Sequence, residues 1–518
     1  MDKDRFSSTL KIIHRNNTYL YIAIFATLAS TLFWTIFVVN TYNSFGNQFF
    51  DLGMYTYSFY FTIHYPNVAH GLQALIYGNH ISIDQLFVLP IFYIWQSGLT
   101  LLLVQDIILN GTAILIFLVT RKVAGNEPFA LALCIAYLLN PGMHGLLLFD
   151  YHPEFLIIPF YILAFYFYMN ADRVKFILAF LLLTLTIEIA ALLGITFGLG
   201  MLYYNYVHAE NKKIARIKKQ MAIAAIAISL IAFFAYFNIE QTLLYSYPTQ
   251  YANLPPYLRV VSYSFFFLSN STSLANFIVT SLNQAVGLIS NFWFLIILAL
   301  FIGIFNFGFT SLREWKLTAI LTAPWIFGVF SAVGISFLMP FYQYYSYVIG
   351  ASIVSSLLGF KVMLNNHKQE GLRHKKARSY FREKNIFLII LISMFLLLIS
   401  IGISPQVLAN TVLFKNSGSQ ATELGQVNYV MKYVSANASL MVQSNIFPHV
   451  FSRRYIESPA NNIRDYVRIA YFKPDYILID NSTIYPFEKE FLASYMKNNT
   501  YYIAASNGSV TLYKEASP

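Results

Sequence analysis

From Asn16 to Thr120 the chain contains neither Lys nor Arg, yet this stretch carries two long apolar runs, 19–39 and 98–120. Each is long enough to cross a hydrocarbon core of about 30 Å as a helix. The cations resume at Arg121 and Lys122, directly behind the second run, and precede the first as Lys3, Arg5, Lys11 and Arg15. The excess of basic residues on the cytoplasmic side of membrane proteins then places both groups inside. Residues 40–97 become an external loop with an interfacial or re-entrant helix near 83–96. The first run is too long for a signal peptide and lacks a small-residue cleavage site, so it is read as an uncleaved anchor.

Composition agrees. Of 518 residues 57% are hydrophobic and 11% charged, against about 25% charged in soluble domains. The formal charge of +11, from 34 Lys and Arg against 23 Asp and Glu, would suggest nucleic acid on a soluble protein. Here the cations lie in short loops between apolar runs, so membrane lipids are the expected partners and nucleic acid is not. The single cysteine, Cys134, excludes an intrachain disulfide framework and any multi-cysteine metal site.

Continuing along the chain, spans are expected near 128–149 and 153–170. The apolar stretch 176–207 is flanked by cations on both sides, so it is read as two short helices forming a V with Glu188 at its outer apex. Further spans follow near 220–239, 285–308, 318–337, 342–363 and 386–403. The fold class is therefore mostly α: a polytopic helical membrane protein of about 11 spans with its N-terminus in the cytoplasm. Residues 1–403 form the membrane domain. Residues 404–518 form a small extracytoplasmic α/β domain. Within it helices are expected at 426–434, 462–471 and 487–496, extended segments at 439–443 and 475–480, and a hairpin at 500–514 turning at Asn507-Gly508. Glycosylation-type triplets beginning at Asn437, Asn481, Asn498 and Asn507 suit an external tail.

On this topology the acids gather at the outer side, and charge at the mouth of a membrane bundle faces a wet cavity or a partner. Asp51, just beyond the first span, is either a general base toward a substrate hydroxyl or the cap of a helix starting at Leu52. In Asp150-Tyr151-His152-Pro153-Glu154 the three polar side chains alternate. An extended turn would send Asp150, His152 and Glu154 to one side, a geometry for a divalent metal or for a phosphate held through one; the alternative is a polar connector. His80 is a candidate ligand or a structural histidine. Glu188 either binds substrate or satisfies a backbone group freed where the helix breaks. Arg259 either pairs with a lipid-linked phosphate or bridges Glu240. Asp106, within the run 98–120, is expected to hydrogen-bond between helices.

Phe50-Asp51-Leu52-Gly53, His80 with Ser82, and Phe149-Asp150-Tyr151-His152-Pro153-Glu154 resemble a family of polytopic membrane proteins of unknown function common in archaea and some bacteria, and the resemblance points to an archaeal chain. Phe447-Pro448-His449, Ser452-Arg453 and the segment Pro474 to Asp480 are similar to that family's outer segment. The family in turn resembles the C-type glycosyltransferase superfold. That resemblance implies transfer of a sugar from a polyprenyl-phosphate-linked donor to an external acceptor, with Asp51 as base and Asp150 and Glu154 as the second acidic pair. His80, His152, Glu188 and Arg259 would then bind substrate. Relatives carry a lysine and further acids at the apex of the V, whereas Ile187-Glu188-Ile189 keeps one acid. A non-catalytic scaffold or binding subunit of an envelope complex is the alternative. A transporter fits less well, because the acids do not line a path between the two faces.

Overall fold

The computed structural model describes residues 3–47, 51–65, 81–209, 211–243, 274–329, 337–338, 342–369, 388–396, 417–459, 474–484, 486–498 and 500–516. The described residues are mostly helical, 77%, with a small C-terminal sheet.

The helices are α1 (Lys3–Asn43), α2 (Asp51–His64), α3 (Gln85–Ile94), α4 (Gly98–Ala124), α5 (Glu127–Leu138), α6 (Pro141–Leu148), α7 (Ile157–Met169), α8 (Arg173–Leu185), α9 (Ile189–His208), α10 (Lys212–Leu243), α11 (Leu274–Gly303), α12 (Trp315–Val329) and α13 (Ser346–Gln369). Among the described residues five helices are long and apolar enough to cross a membrane: Asn17–Asn43, Gly98–Ala124, Ile189–His208, Lys212–Tyr236 and Gln343–Asn365. The pair α5 and α6, bent by 41°, makes a sixth if it is one broken span. The other expected spans fall on shorter, kinked or partly described helices. The kink in α11 is at Phe292.

Local chemistry sets the breaks. Ser97 caps α4 by accepting from Leu99 N at 3.2 Å, and Gly125 ends it in the left-handed region, where a side chain is disfavoured. Asn140 caps α6 through Gly142 N and Met143 N, with Pro141 in its first turn. The Leu138 carbonyl released at the bend is taken by the His144 ring at 2.6 Å. In the bundle Thr35 donates to Asp106 at 2.6 Å and Ser30 to Asn110 at 2.6 Å, tying α1 to α4 by the expected interhelical bonds.

The run 176–207 does form two helices, α8 and α9, broken at Thr186–Glu188. The break is stitched from elsewhere. Ile83 N donates to Leu185 O at 3.0 Å and Ile81 N to Glu188 Oε2 at 3.1 Å. A backbone carbonyl freed at a helix end is thereby satisfied by the segment that closes the first long loop.

The C-terminal domain contains α14 (Ser417–Met431), β1 (Leu440–Val442), the short α15 (Phe447–Val450), β2 (Ile456–Glu457), β3 (Tyr476–Asp480), α16 (Pro486–Asn498), β4 (Tyr501–Asn507) and β5 (Val510–Glu515). Its sheet order is β2-β1-β3-β5-β4, with β1 parallel to β2 and β3, and β5 antiparallel to β3 and β4. Asn507 pairs with Val510, so the hairpin loop is Gly508-Ser509, one residue later than the Asn-Gly pair suggests. Gly508 takes the positive φ that this tight loop needs. The helix expected at 462–471 and the boundary expected at 403/404 lie outside the described residues.

This domain packs directly on the membrane bundle. Tyr42 at the end of α1 donates to Pro448 O at 3.0 Å, and Tyr57 on α2 to Arg454 O at 2.7 Å. Asn445 reaches Phe45 O at 3.2 Å. His449 lies against the rings of Tyr42 and Phe45, at 4.1 and 4.4 Å between ring centres and tilted to both. Burial holds this imidazole down at about 3, so it packs as a neutral ring.

Candidate functional site

Three sequence-distant segments meet at the end of the bundle against which the C-terminal domain packs. The first is the start of α2. Asp51 is its first residue, but the cap comes from elsewhere: Asp150 accepts from Leu52 N at 3.5 Å and from the Asn47 amide at 3.0 Å. Asp51 itself lies beside the His152 imidazole, 3.6 Å from its Nε2.

The second segment is the turn between α6 and the single 3-10 turn Pro153–Leu156. Its backbone is pinned by Gln105 on α4, which accepts from His152 N at 3.0 Å and donates to Leu146 O at 2.6 Å. His152 is thereby fixed between two carboxylates. Its Nδ1 lies 3.2 Å from Glu154 Oε2, and its Nε2 lies 3.6 Å from Asp51 Oδ2. Glu154 also accepts from Tyr347 on α13 at 3.3 Å. The result is a buried chain running Asp51, His152, Glu154, Tyr347.

The third segment is the apex of the V. Glu188 binds Ile81 N and acts electrostatically on Tyr55 and Tyr347, as Glu154 does. Tyr55, one helical turn after Asp51, stands with its ring 5.4 Å from that of Tyr151 and 5.7 Å from that of His152. Five of the residues expected from sequence, Asp51, Asp150, His152, Glu154 and Glu188, are thus gathered around α2. His80 and Arg259 lie outside the described residues.

All five are buried. Asp51 retains 7% exposure and the others 3% or less. For His152, burial opposes the charged form, but Glu154 and Asp51 outweigh it and carry the ring up to about 10. An imidazolium between two carboxylates is the outcome. For Asp150, burial and then the Asp51 charge push the carboxyl up to about 7, with Asn47 and the Leu52 N–H working the other way. The Tyr55 hydroxyl is driven well above the usual phenol range by burial, then by Glu154 and Asp51. The site can therefore hold a charged imidazole, donate from a phenol that stays protonated, and exchange a proton at Asp150 near neutrality.

Asp150, His152 and Glu154 do not converge as a metal-ligand set. Both ring nitrogens of His152 face carboxylates, and Asp150 turns toward Asn47 and Leu52 N. Among the described residues no group of three or more His, Cys, Asp or Glu side chains is arranged to hold a metal ion.

Sequence reasoning did not single out Asn47, Tyr55, Gln105 or Tyr347. Tyr55 had a signal in its four-residue spacing from Asp51, which puts both on one helix face. Tyr347, almost 200 residues from Glu154, had none. Asp84, in the turn before α3, is fully buried beside the site.

Residues 41–507 match DUF2079, a family described as a predicted membrane protein. The chain belongs to the DUF2079 family. Comparison with curated proteins gives no significant match. The DUF2079 match takes in all five converging residues and the C-terminal domain through the end of β4. The family match therefore spans both the bundle and the C-terminal sheet, which pack on each other through α2 and α15. A multi-pass membrane location is consistent with this family and with the apolar helices.

Proposed function

We propose that the protein is a membrane glycosyltransferase that moves a sugar from a polyprenyl-phosphate-linked donor to an acceptor at the outer membrane face. In this reading the bundle has about 11 spans in the manner of the C-type glycosyltransferase superfold. The N-terminus is cytoplasmic and the C-terminal domain extracytoplasmic. The observation that supports it is the meeting of Asp51 with His152 and Glu154 in one buried acid–imidazole–acid chain.

Asp51 is the most exposed member of that chain and is assigned the proton of the acceptor hydroxyl. As the hydroxyl oxygen bonds to the anomeric carbon, the bond to the lipid phosphate breaks and the phosphate leaves with its electrons. His152 keeps Asp51 oriented, Glu154 keeps His152 oriented, and Asp150 fixes the start of α2 on which Asp51 sits. The leaving phosphate needs a cation, a role given to Arg259, with His80 and Glu188 on the substrate side. No step runs through a divalent metal, which would have to displace His152 from its two carboxylates.

The test is transfer of labelled sugar from a polyprenyl-phosphate donor by the purified protein. Asp51→Asn is expected to lower the rate at least about 100-fold, the scale of general-base catalysis. Undiminished transfer in that variant removes Asp51 from the role. A non-catalytic scaffold is the second reading, favoured by how completely the acids are enclosed. Co-purification of stoichiometric protein partners, with no transfer from any lipid-linked sugar, would select it.

A further inference from the structure

Beside the acid chain, the segment Ser82 to Gln85 carries a group of buried polar atoms that the proposed reaction does not use. Among the described residues, Ser82 Oγ, both carboxylate oxygens of Asp84 and Gln85 Nε2 have no well-aligned hydrogen-bond partner, although Ser82 is 1% exposed and the other two are fully buried. Tyr55 Oη is in the same condition. Buried polar groups are nearly always paired, so several unpaired atoms on one four-residue segment call for a partner.

The segment is rigidly placed. Ile81 N and Ile83 N bind the break of the V, and Gln85 Oε1 accepts from Tyr151 at 2.6 Å. The Gln85 amide nitrogen lies near enough to Asp84 to ease its burial, yet it makes no well-aligned hydrogen bond among the described residues. The Thr186 hydroxyl, which eases the burial of Asp84 most, donates to Leu182 O at 3.1 Å. Helix α2 covers this region, laying Tyr55 and Phe59 against Tyr151.

The unused groups define a ligand chemistry. Gln85 and Ser82 offer donors, Asp84 offers acceptors, and Tyr55 offers either. Burial and then the nearby Glu154 push the Asp84 carboxyl well above the usual carboxylate range, and with Glu154 and Glu188 close by a phosphate or second carboxylate would be opposed by the field. Vicinal hydroxyls, which donate and accept together, match the set. We infer that Ser82, Asp84 and Gln85 form a subsite for the hydroxyl groups of an uncharged sugar ring, reached when α2 moves aside. This rests on the glycosyltransferase reading for its choice of ligand, and it places sugar recognition beside the apex of the V.

The experiment uses the full chain in a detergent without a sugar head group. Methyl glucoside, methyl mannoside, methyl galactoside and methyl N-acetylglucosaminide are titrated, with inorganic phosphate alongside, and binding is read by ligand-observed NMR and thermal stabilisation. At least one glycoside is expected to saturate. Asp84→Asn and Gln85→Leu should each weaken it about tenfold or more, the loss of one or two hydrogen bonds, and phosphate should give no Asp84-dependent signal. Burial favours the neutral acid form of Asp84, which an amide matches in size and charge, so Asp84→Asn should fold about as stably as the parent. No saturable glycoside binding, or equal binding in both folded variants, overturns the subsite. Glycoside binding lost in these variants, in a protein that never transfers sugar, upholds the subsite while the catalytic reading falls. Transfer that is unchanged in both variants upholds catalysis and overturns the subsite.

Discussion

A β-carbon at Gly53 would come within 2.6 Å of the Phe447 ring and 2.8 Å of its Cβ. The helix that begins with Asp51 and the short helix after β1 therefore touch through a position where no side chain fits. Gly53→Ala is expected to cost about 1–3 kcal/mol by overpacking, because Phe447 is itself buried and cannot swing away freely. Limited proteolysis should show the C-terminal domain cleaved sooner in Gly53→Ala. Adding Phe447→Ala should restore resistance in part; a double variant no better than the single one would mean that the two helices do not meet there.

His152 predicts a pH dependence of stability. Its folded-state value is raised from the ordinary 6.5 to about 10, so the folded protein holds this proton more tightly than the unfolded chain. That contribution is full below about pH 6.5 and is lost as pH rises toward about 10. Melting temperature should fall across this window, and His152→Gln should flatten the fall. An identical slope in the variant would place the proton elsewhere.

Asp150 acts in a lower window. Its carboxyl is raised from 3.8 to about 7, so its contribution is full below about pH 4 and lost as pH rises to about 7. Asp150→Asn should remove that part of the slope while still accepting from Asn47. The windows of Asp150 and His152 barely overlap, so melting curves at pH 4, 7 and 10 separate them.

Glu154→Gln removes the charge that most raises His152 and leaves an imidazolium with one carboxylate at 3.6 Å. Breaking a buried pair from one side costs about 3–5 kcal/mol. The loss should be smaller at pH 10, where His152 is neutral more of the time. A loss independent of pH would show that Glu154 acts by packing alone.

The proposed orientation can be read with thiol reagents. Cys134 is fully buried, so the native chain should label poorly in intact membranes. Cysteines introduced at Asn437 and at Lys219, both exposed, should react from opposite sides, Asn437→Cys with an impermeant reagent applied outside. Labelling of both from one side would overturn the topology.

The legible part of the fold was what charge and hydropathy control. The V at 176–207 followed from basic flanks on both sides of a run too long for one span, and α8 and α9 break at Glu188 as that argument requires. The alternation of the C-terminal segment gave β1, β3, α16 and the hairpin. The helix α15 was out of reach, because Phe447-Pro448-His449 is too short to carry a period. Asp51, Asp150 and Glu154 stood out as charges among apolar residues. Their pairing through His152 did not, since an alternating turn does not specify which nitrogen meets which oxygen. The metal expectation for that turn came from the same ambiguity: three polar side chains on one side of a strand can face a common ion or one another. Asn47, Gln105 and Tyr347 act through single long-range hydrogen bonds that leave no periodic trace.

The bond from Tyr42 to the Pro448 carbonyl joins residues 406 positions apart, and the Ile81–Glu188 bond spans 107. During synthesis the first membrane helix is made long before the segment that seals its end. The start of α2 can settle only after the turn at Asp150 has emerged, and α2 gains its outer support only when β1 and α15 have been made. A chain stopped before about residue 450 would hold every acid of the site and still lack the piece that clamps α2 over them. The covering of these acids by α2 and α15 is therefore set by contacts between residues far apart along the chain.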